Sequence, residues 1–357
     1  GSRYLLGDRD YLWIIQLMQK ADSLNCLTPL GKDVLKRLTL VWQEVKGRAG
    51  DLTPLGVRQH QGIAERMTKN FPEVFRGKRS VSARSTVVYR CAMSMAAFGD
   101  RLKGLNPQLD ISYEMSEKYM SYLNYHTDRS NAFTHGEKGP WVEEYRKFEE
   151  QQVKPDRLVN TLFSNADFIR CEVNPNNLMW GLYWIAVDMQ DIETPVSFYD
   201  IFTAREMFDL WQCVNYRFYI GNANPQASKG IVMANAKSLV ENIIESADAA
   251  IKDRSIAATL RFGHDGNVIP LLALLQIENF DVAVAGPSEV YKYWCDFKAT
   301  PMASNVQIVF FENKKGDVLV KFLHNEKEVH IPVKTDNWPY YHWNEVRDYY
   351  QKRLAGM

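Results

Sequence analysis

The sequence predicts an α/β protein: a mixed, mostly parallel sheet flanked by helices, with a helical subdomain inserted into it. Three observations carry that prediction. The stretch Ala257 to Leu275, AATLRFGHDGNVIPLLALL, is an apolar run that breaks at Gly263 and resumes at helix length, which reads as strand, tight turn and helix. The run Ser80-Val81-Ser82-Ala83-Arg84-Ser85 reads as a second strand leading into a helix, Thr86 to about Leu105. Between roughly Lys103 and Ala250 the strand signals fade and helical ones take over. These readings set an α/β core over 1–102 and 251–357 and a helical insertion over 103–250.

In chain order, Tyr11, Leu12, Ile14, Ile15 and Met18 give a first helix its apolar stripe. A second starts at Thr28-Pro29, with Thr as N-cap and Pro at the first helical position, and ends at Gly47 to Gly50. The pentapeptide Leu-Thr-Pro-Leu-Gly at 27–31 recurs at 52–56, where it opens a third helix through Ile63 and Met67; it is a reused capping device. The helix after the 80–85 strand has Val88, Ala92, Met95 and Phe98 on its apolar face. Within the insertion, helices are expected at 139–152, 155–164, 198–212 and 231–251, with Trp180, Tyr183 and Trp184 in its core. Residues 280–287 read as a strand. Val306 to Val333 alternates as two or three antiparallel strands with turns at Lys315-Gly316 and Asn325, and an aromatic segment from Trp338 to Tyr350 closes the chain as a docked helix.

Composition narrows the chemistry. With 357 residues, 46% hydrophobic and 24% charged, the chain can bury a large core and carry an inserted subdomain. Forty-three basic residues balance forty-three acidic ones, so no global field draws nucleic acid or membrane and any anion site must be local. No apolar run reaches the length of a membrane span. Five widely spaced cysteines, with no Cys-x-x-Cys, and seven scattered histidines argue against a zinc site and a dense disulfide framework. No metal or cofactor is expected.

His264 and Asp265 stand where a parallel strand ends and a helix begins, the place where open α/β sheets hold their ligands. The free N–H groups of that helix terminus favour an anion. Arg84 is read as occupying the equivalent place in the earlier strand–helix unit, and its planar fork of donors matches phosphate oxygens.

Gly263-His264-Asp265-Gly266-Asn267, Arg84 in Ser-Ala-Arg-Ser-Thr, and Leu52-Thr-Pro-Leu-Gly followed by Gln59-His60, Ala64, Arg66 and Met67 resemble the histidine acid phosphatases. The tail, Ala303-Ser304-Asn305 into Val306 to Phe311 and then Val318 to Leu323, is similar to their branch of multiple inositol polyphosphate phosphatases and bacterial phytase-like enzymes. The resemblance implies a phosphoglycerate-mutase-like core and hydrolysis of phosphomonoesters, inositol polyphosphates in particular, through a phosphohistidine. It assigns Arg3, Arg84 and His264 to the equatorial phosphate oxygens. It assigns Asp265 to protonating the leaving alkoxide and then assisting water, a role that needs a protonated carboxyl and implies work in acid. Arginines supply the electrostatics, so the resemblance implies no metal.

The family's first motif, Arg-His-Gly-x-Arg-x-Pro, aligns with Gly1-Ser2-Arg3-Tyr4-Leu5, with Leu5 in the place of Pro. The nucleophilic histidine is therefore expected immediately upstream of Gly1. For a highly phosphorylated substrate, extra basic residues are expected in the cleft, with Arg58, Lys138 and Lys229 as candidates. The resemblance also implies an extracytoplasmic location. Two other readings stand beside it: a broad-specificity acid or sugar phosphatase, and a noncatalytic phosphate-ligand binding protein. The expected partner is a small phosphorylated molecule; zero net charge and the lack of a basic-aromatic stripe argue against nucleic acid.

Overall fold

In the computed structural model, which describes residues 1–135 and 139–357, the chain forms two compact units. One comprises Gly1–Val57 and Tyr145–Val214, the other Arg58–Glu144 and Asn215–Met357. Lys138, one of the candidate cleft residues, lies outside the described residues.

The first unit is helical. Helix α1 (Asp8–Ser23) buries Tyr11, Ile14, Ile15 and Met18, as its stripe predicts, against α2 (Pro29–Val45) and the helix Pro175–Asp188. Helix α2 packs on Asp156–Leu162. The two helices that sequence assigned to the core thus share a unit with helices of the expected insertion, because their apolar stripes meet there. The repeated pentapeptide does the same work twice. Thr28 accepts the Gly31 N–H at 3.0 Å and Thr53 accepts that of Gly56 at 3.1 Å. A Cβ on Gly31 would come within 2.2 Å of the Leu162 carbonyl oxygen, and one on Gly56 within 2.3 Å of that of Ser2. Each Leu-Thr-Pro-Leu-Gly copy therefore starts a helix and presses its glycine onto a neighbouring backbone. The second copy opens α3 (Pro54–Asn70).

The second unit has the mixed α/β build predicted from sequence, with a parallel sheet flanked by helices. Strands β1 (Ser80–Ser85), β2 (Asp110–Met115) and β3 (Ile256–Phe262) run parallel in the order β2-β1-β3. Val81 faces Ile63 and Ala64 of α3 and Phe98 and Leu102 of α4 (Tyr89–Leu105), and Phe262 joins that cluster. A helix at Lys237–Lys252 packs against β3. An antiparallel sheet forms from β4 (Val306–Glu312), β5 (Val318–His324), β6 (Lys327–Glu328) and β7 (Tyr341–His342), with β5 pairing all three others. Its turns are at the expected places: Gly316 has φ +86° and Asn325 φ +49°.

Four expectations are corrected. Strand β2 lies in the segment where the strand signals fade; it is a sheet edge, mostly exposed, and its sequence DISYEM has no apolar run to announce it. Residues 280–287 form no strand. Their polar backbone is held instead by side chains: Tyr219 Oη donates to Val282 O at 2.8 Å and accepts from Val284 N at 2.7 Å, and Asn224 Nδ2 donates to Asp281 O. The helix expected at 198–212 runs Ala204–Asn222 instead, and the C-terminal helix is Trp343–Ala355, after β7.

Candidate active site

The site is built from two strand–helix junctions in the second unit. At the first, Ser85 and Thr86 are fully buried at the end of β1, and Thr86 N–H donates to Phe262 O at 3.0 Å, tying the C-terminal ends of β1 and β3 together. At the second, Gly263 and His264 follow β3, and His264 is the N-cap of the helix Asp265–Leu274. Its backbone is extended, and its side chain makes no capping bond. It points instead to the first junction: Nε2 lies 3.1 Å from Thr86 Oγ1, and Nδ1 lies 3.5 Å from Arg90 Nη2 and 3.9 Å from Cys91 Sγ. A guanidinium can only donate, so Nδ1 is the accepting nitrogen and the hydrogen of the neutral ring sits on Nε2, directed at Thr86. Cys91 Sγ also donates to Gly263 O at 3.3 Å.

This arrangement concentrates positive potential. Helix α4 has Val88 as N-cap with no side-chain capping bond and no acidic residue in its first turn. The helix Asp265–Leu274 likewise starts without a side-chain cap. Two helix N-termini and one guanidinium thus border a single imidazole, a setting that attracts an oxyanion. The acidic side chain nearest in sequence is Asp265, exposed in the first helical turn, whose Oδ1 accepts the Gly266 N–H at 2.8 Å. Asn267, two residues further on, is buried, and its Oδ1 has no hydrogen-bond partner among the described residues.

The residues singled out by sequence have different fates. His264 and Asp265 stand at the strand–helix junction as expected. Arg84 does not stand at a helix N-terminus; it lies inside β1, in register with Glu114 of β2 and Arg261 of β3. Its Nε donates to Glu114 Oε2 at 3.0 Å, its Nη1 to Tyr122 Oη at 3.3 Å, and its guanidinium carbon sits 4.6 Å from the Tyr119 ring centroid. Tyr119 and Arg84 together hold the Glu114 carboxylate below its ordinary range. Pleat alternation explains the difference. Val81, Ala83 and Ser85 face the α3/α4 layer, so Arg84 faces the other side, where half-buried Arg261 donates to Asn242 Oδ1 at 2.7 Å.

The arginine brought to His264 is Arg90, which sequence reasoning passed over. The available signal was its place in the first turn of the helix after β1. Arg3 belongs to the first unit, where its backbone bridges Leu52 and its charge favours the ionised forms of buried Asp188 and Asp191. Of the candidate cleft residues, Arg58 lies on α3 and Lys229 has a left-handed φ of +50° after a short 3-10 turn. Among the described residues, no group of three or more His, Cys, Asp or Glu side chains is placed to hold a metal ion. The five cysteines are unpaired thiols. Among the described residues no helix is long and apolar enough to cross a membrane.

Comparison with known proteins accords with this geometry. No curated protein sequence matches the chain significantly. Solved structures do match in fold. The multiple inositol polyphosphate phosphatase of Bifidobacterium longum, in complex with inositol hexasulfate, is 17% identical, with a TM-score of 0.78 over 97% of this chain and 89% of that one. The phytase from D. castellii is 13% identical, with a TM-score of 0.69 over 100% of this chain and 78% of that one. Residues 35–325 match the family model described as the histidine phosphatase superfamily (branch 2). That span takes in both strand–helix junctions, and the chain belongs to this family.

Proposed function

We propose that the protein hydrolyses phosphomonoesters, inositol polyphosphates among them, through a phosphohistidine intermediate. The observation that carries this reading is the convergence of His264, Thr86, Arg90 and two uncapped helix N-termini at one strand-end junction beside Asp265. Such a constellation suits the three equatorial oxygens of a phosphoryl group in transfer. The substrate class rests on the fold shared with an inositol polyphosphate phosphatase and a phytase.

In the first step an imidazole nitrogen attacks phosphorus, the P–N bond forms and the P–O ester bond breaks, and the departing alkoxide takes the proton of Asp265. In the second, water attacks phosphorus, the P–N bond breaks and Asp265 recovers a proton from the water. His264 is not the attacking imidazole, since its ring is held by Thr86 and Arg90 on the phosphate side. The family resemblance implies a different histidine as the attacking nucleophile. His264 and Arg90 stabilise the developing charge. Arg3 and Arg84 are further candidates for phosphate contact, to be ranked against Arg90 by substitution. An extracytoplasmic location is part of this reading, tested by cell fractionation.

The test is to trap the intermediate. Full-length protein mixed with labelled phosphate ester and quenched in alkali is expected to retain label that acid releases, the signature of phosphohistidine. Turnover without such label refutes the covalent mechanism. Phosphate binding without turnover favours the noncatalytic alternative, and indifference between inositol hexakisphosphate and simple esters favours a broad phosphatase.

A further inference from the structure

The first turn of the helix Asp265–Leu274 has a second set of neighbours, distinct from those of His264. A Cβ on Gly266 would lie 3.3 Å from Asn222 Oδ1 and 3.9 Å from His126 Cε1. Glycine here lets the Asn222 amide close on the backbone next to Asp265, and the His126 imidazole stands at van der Waals distance beside it. Asn222 and His126 are distinct from Thr86, Arg90 and Cys91, which lie at the His264 ring. If the latter hold the phosphoryl group, the His126 side of Asp265 is where the alcohol leaves.

His126 is held in a defined state. Asn235, only 3% exposed, accepts the Thr127 N–H through Oδ1 at 2.9 Å, which fixes the amide orientation. Its Nδ2 then faces His126 Nδ1 at 3.4 Å. An amide nitrogen only donates, so Nδ1 accepts, and the hydrogen of the neutral ring is on Nε2. Asn222 is anchored in the same manner, donating Nδ2 to Phe218 O at 3.2 Å and leaving Oδ1 toward Gly266. Burial, and then the charge of His135, lowers the His126 pKa, so the neutral tautomer persists further into acid.

From this geometry we infer that His126 is a specificity-determining substrate contact, whose Nε2–H donates to an oxygen on the alcohol part of the ester, such as a phosphate on a neighbouring ring carbon. The inference rests on the phosphomonoesterase reading. In the full-length protein, His126→Ala is expected to lower kcat/KM on inositol hexakisphosphate about tenfold while changing that on p-nitrophenyl phosphate less than about twofold. His126→Gln, whose amide keeps a donor near the Nε2 position, is expected to recover most of the loss. Equal losses on both esters, no loss, or no recovery with glutamine overturns the inference. Should the wild-type protein turn over neither ester, the phosphatase reading fails, and calorimetry with inositol hexakisphosphate decides on His126. A Kd weakened at least about fivefold in His126→Ala and regained in His126→Gln upholds the contact. An unchanged Kd, or no binding by the wild-type protein, overturns it.

Discussion

An arginine in the first turn of a helix sits against the positive end of the helix dipole, and Arg90 does so with no carboxylate in that turn to offset it. In the proposed function the phosphate of the substrate supplies that charge. Arg90→Ala is therefore expected to raise the inhibition constant for inorganic phosphate about 10- to 100-fold, the worth of a charge-assisted hydrogen bond. Arg84 already has Glu114 and Tyr122 as partners, and Arg84→Ala is expected to change that constant less than about threefold while lowering the melting temperature. The opposite ranking, measured with both variants side by side, would return the phosphate role to Arg84. Asp265→Asn keeps the Gly266 N–H acceptor but has no proton to give a leaving alkoxide. Its kcat is expected to fall about 100-fold or more with phosphate inhibition nearly unchanged, and an undiminished rate would remove Asp265 from the acid role.

Elements differ in how much they depend on their own residues. Helix α2 begins with an N-cap that serves two purposes: Thr28 Oγ1 accepts from Gly31 N and donates to Thr161 O at 2.6 Å, joining the helix to its neighbour. Thr28→Ala is expected to cost about 1 to 2 kcal/mol in urea unfolding and Thr28→Ser much less. Equal losses in the two would show that the γ-methyl, not the hydroxyl, matters. The elements foreseen from sequence are those with such local signals, namely capping residues, turn glycines and long apolar stripes. Strand β2 has none, being an exposed edge defined by pairing with β1 across 30 residues of sequence. Residues 280–287 carry strand-like side chains, yet Tyr219 and Asn224 take the backbone groups that a ladder would use.

At the scale of the molecule, two buried ionisable groups act in opposite senses on acid stability. His60, 8% exposed, is pushed down by burial to about 3. Its depressed pKa contributes stability that is whole above the unfolded value near 6.5 and is lost as pH falls toward 3, at most about 5 kcal/mol. Asp191 is pushed up to about 6, first by burial, with the Asp188 charge adding to it. Its raised pKa means a cost that is full above pH 6 and relieved as pH falls toward 3.8, about 3 kcal/mol at most. Asp191→Asn is expected to stabilise the protein at pH 7.5, with the advantage shrinking toward pH 4 in urea titrations. An advantage that does not change with pH would mean that Asp191 titrates alike in the folded and unfolded chain, so that burial does not raise it. His60→Gln is expected to lose less stability than the wild type between pH 7 and pH 4, and parallel losses would acquit His60 of the acid sensitivity.

Local order along the chain was sufficient for the α/β class, both strand–helix junctions, the antiparallel tail and the pairing of His264 with Asp265 at a helix N-terminus. Each of these follows from apolar period, turn residues and capping, which act over a few neighbouring positions. Which arginine meets His264 was decided by folding alone. In a pleated strand a shift of one residue reverses the face a side chain occupies, and the parity of β1 sends Arg84 toward Glu114 while the first turn of α4 swings Arg90 to the imidazole. The division into units was settled the same way, because the apolar stripes of α1 and α2 state that they must be covered and not by which helices. His126, 138 residues before His264, has no signal in its neighbours at all. Only tertiary packing brings it beside Gly266, next to Asp265.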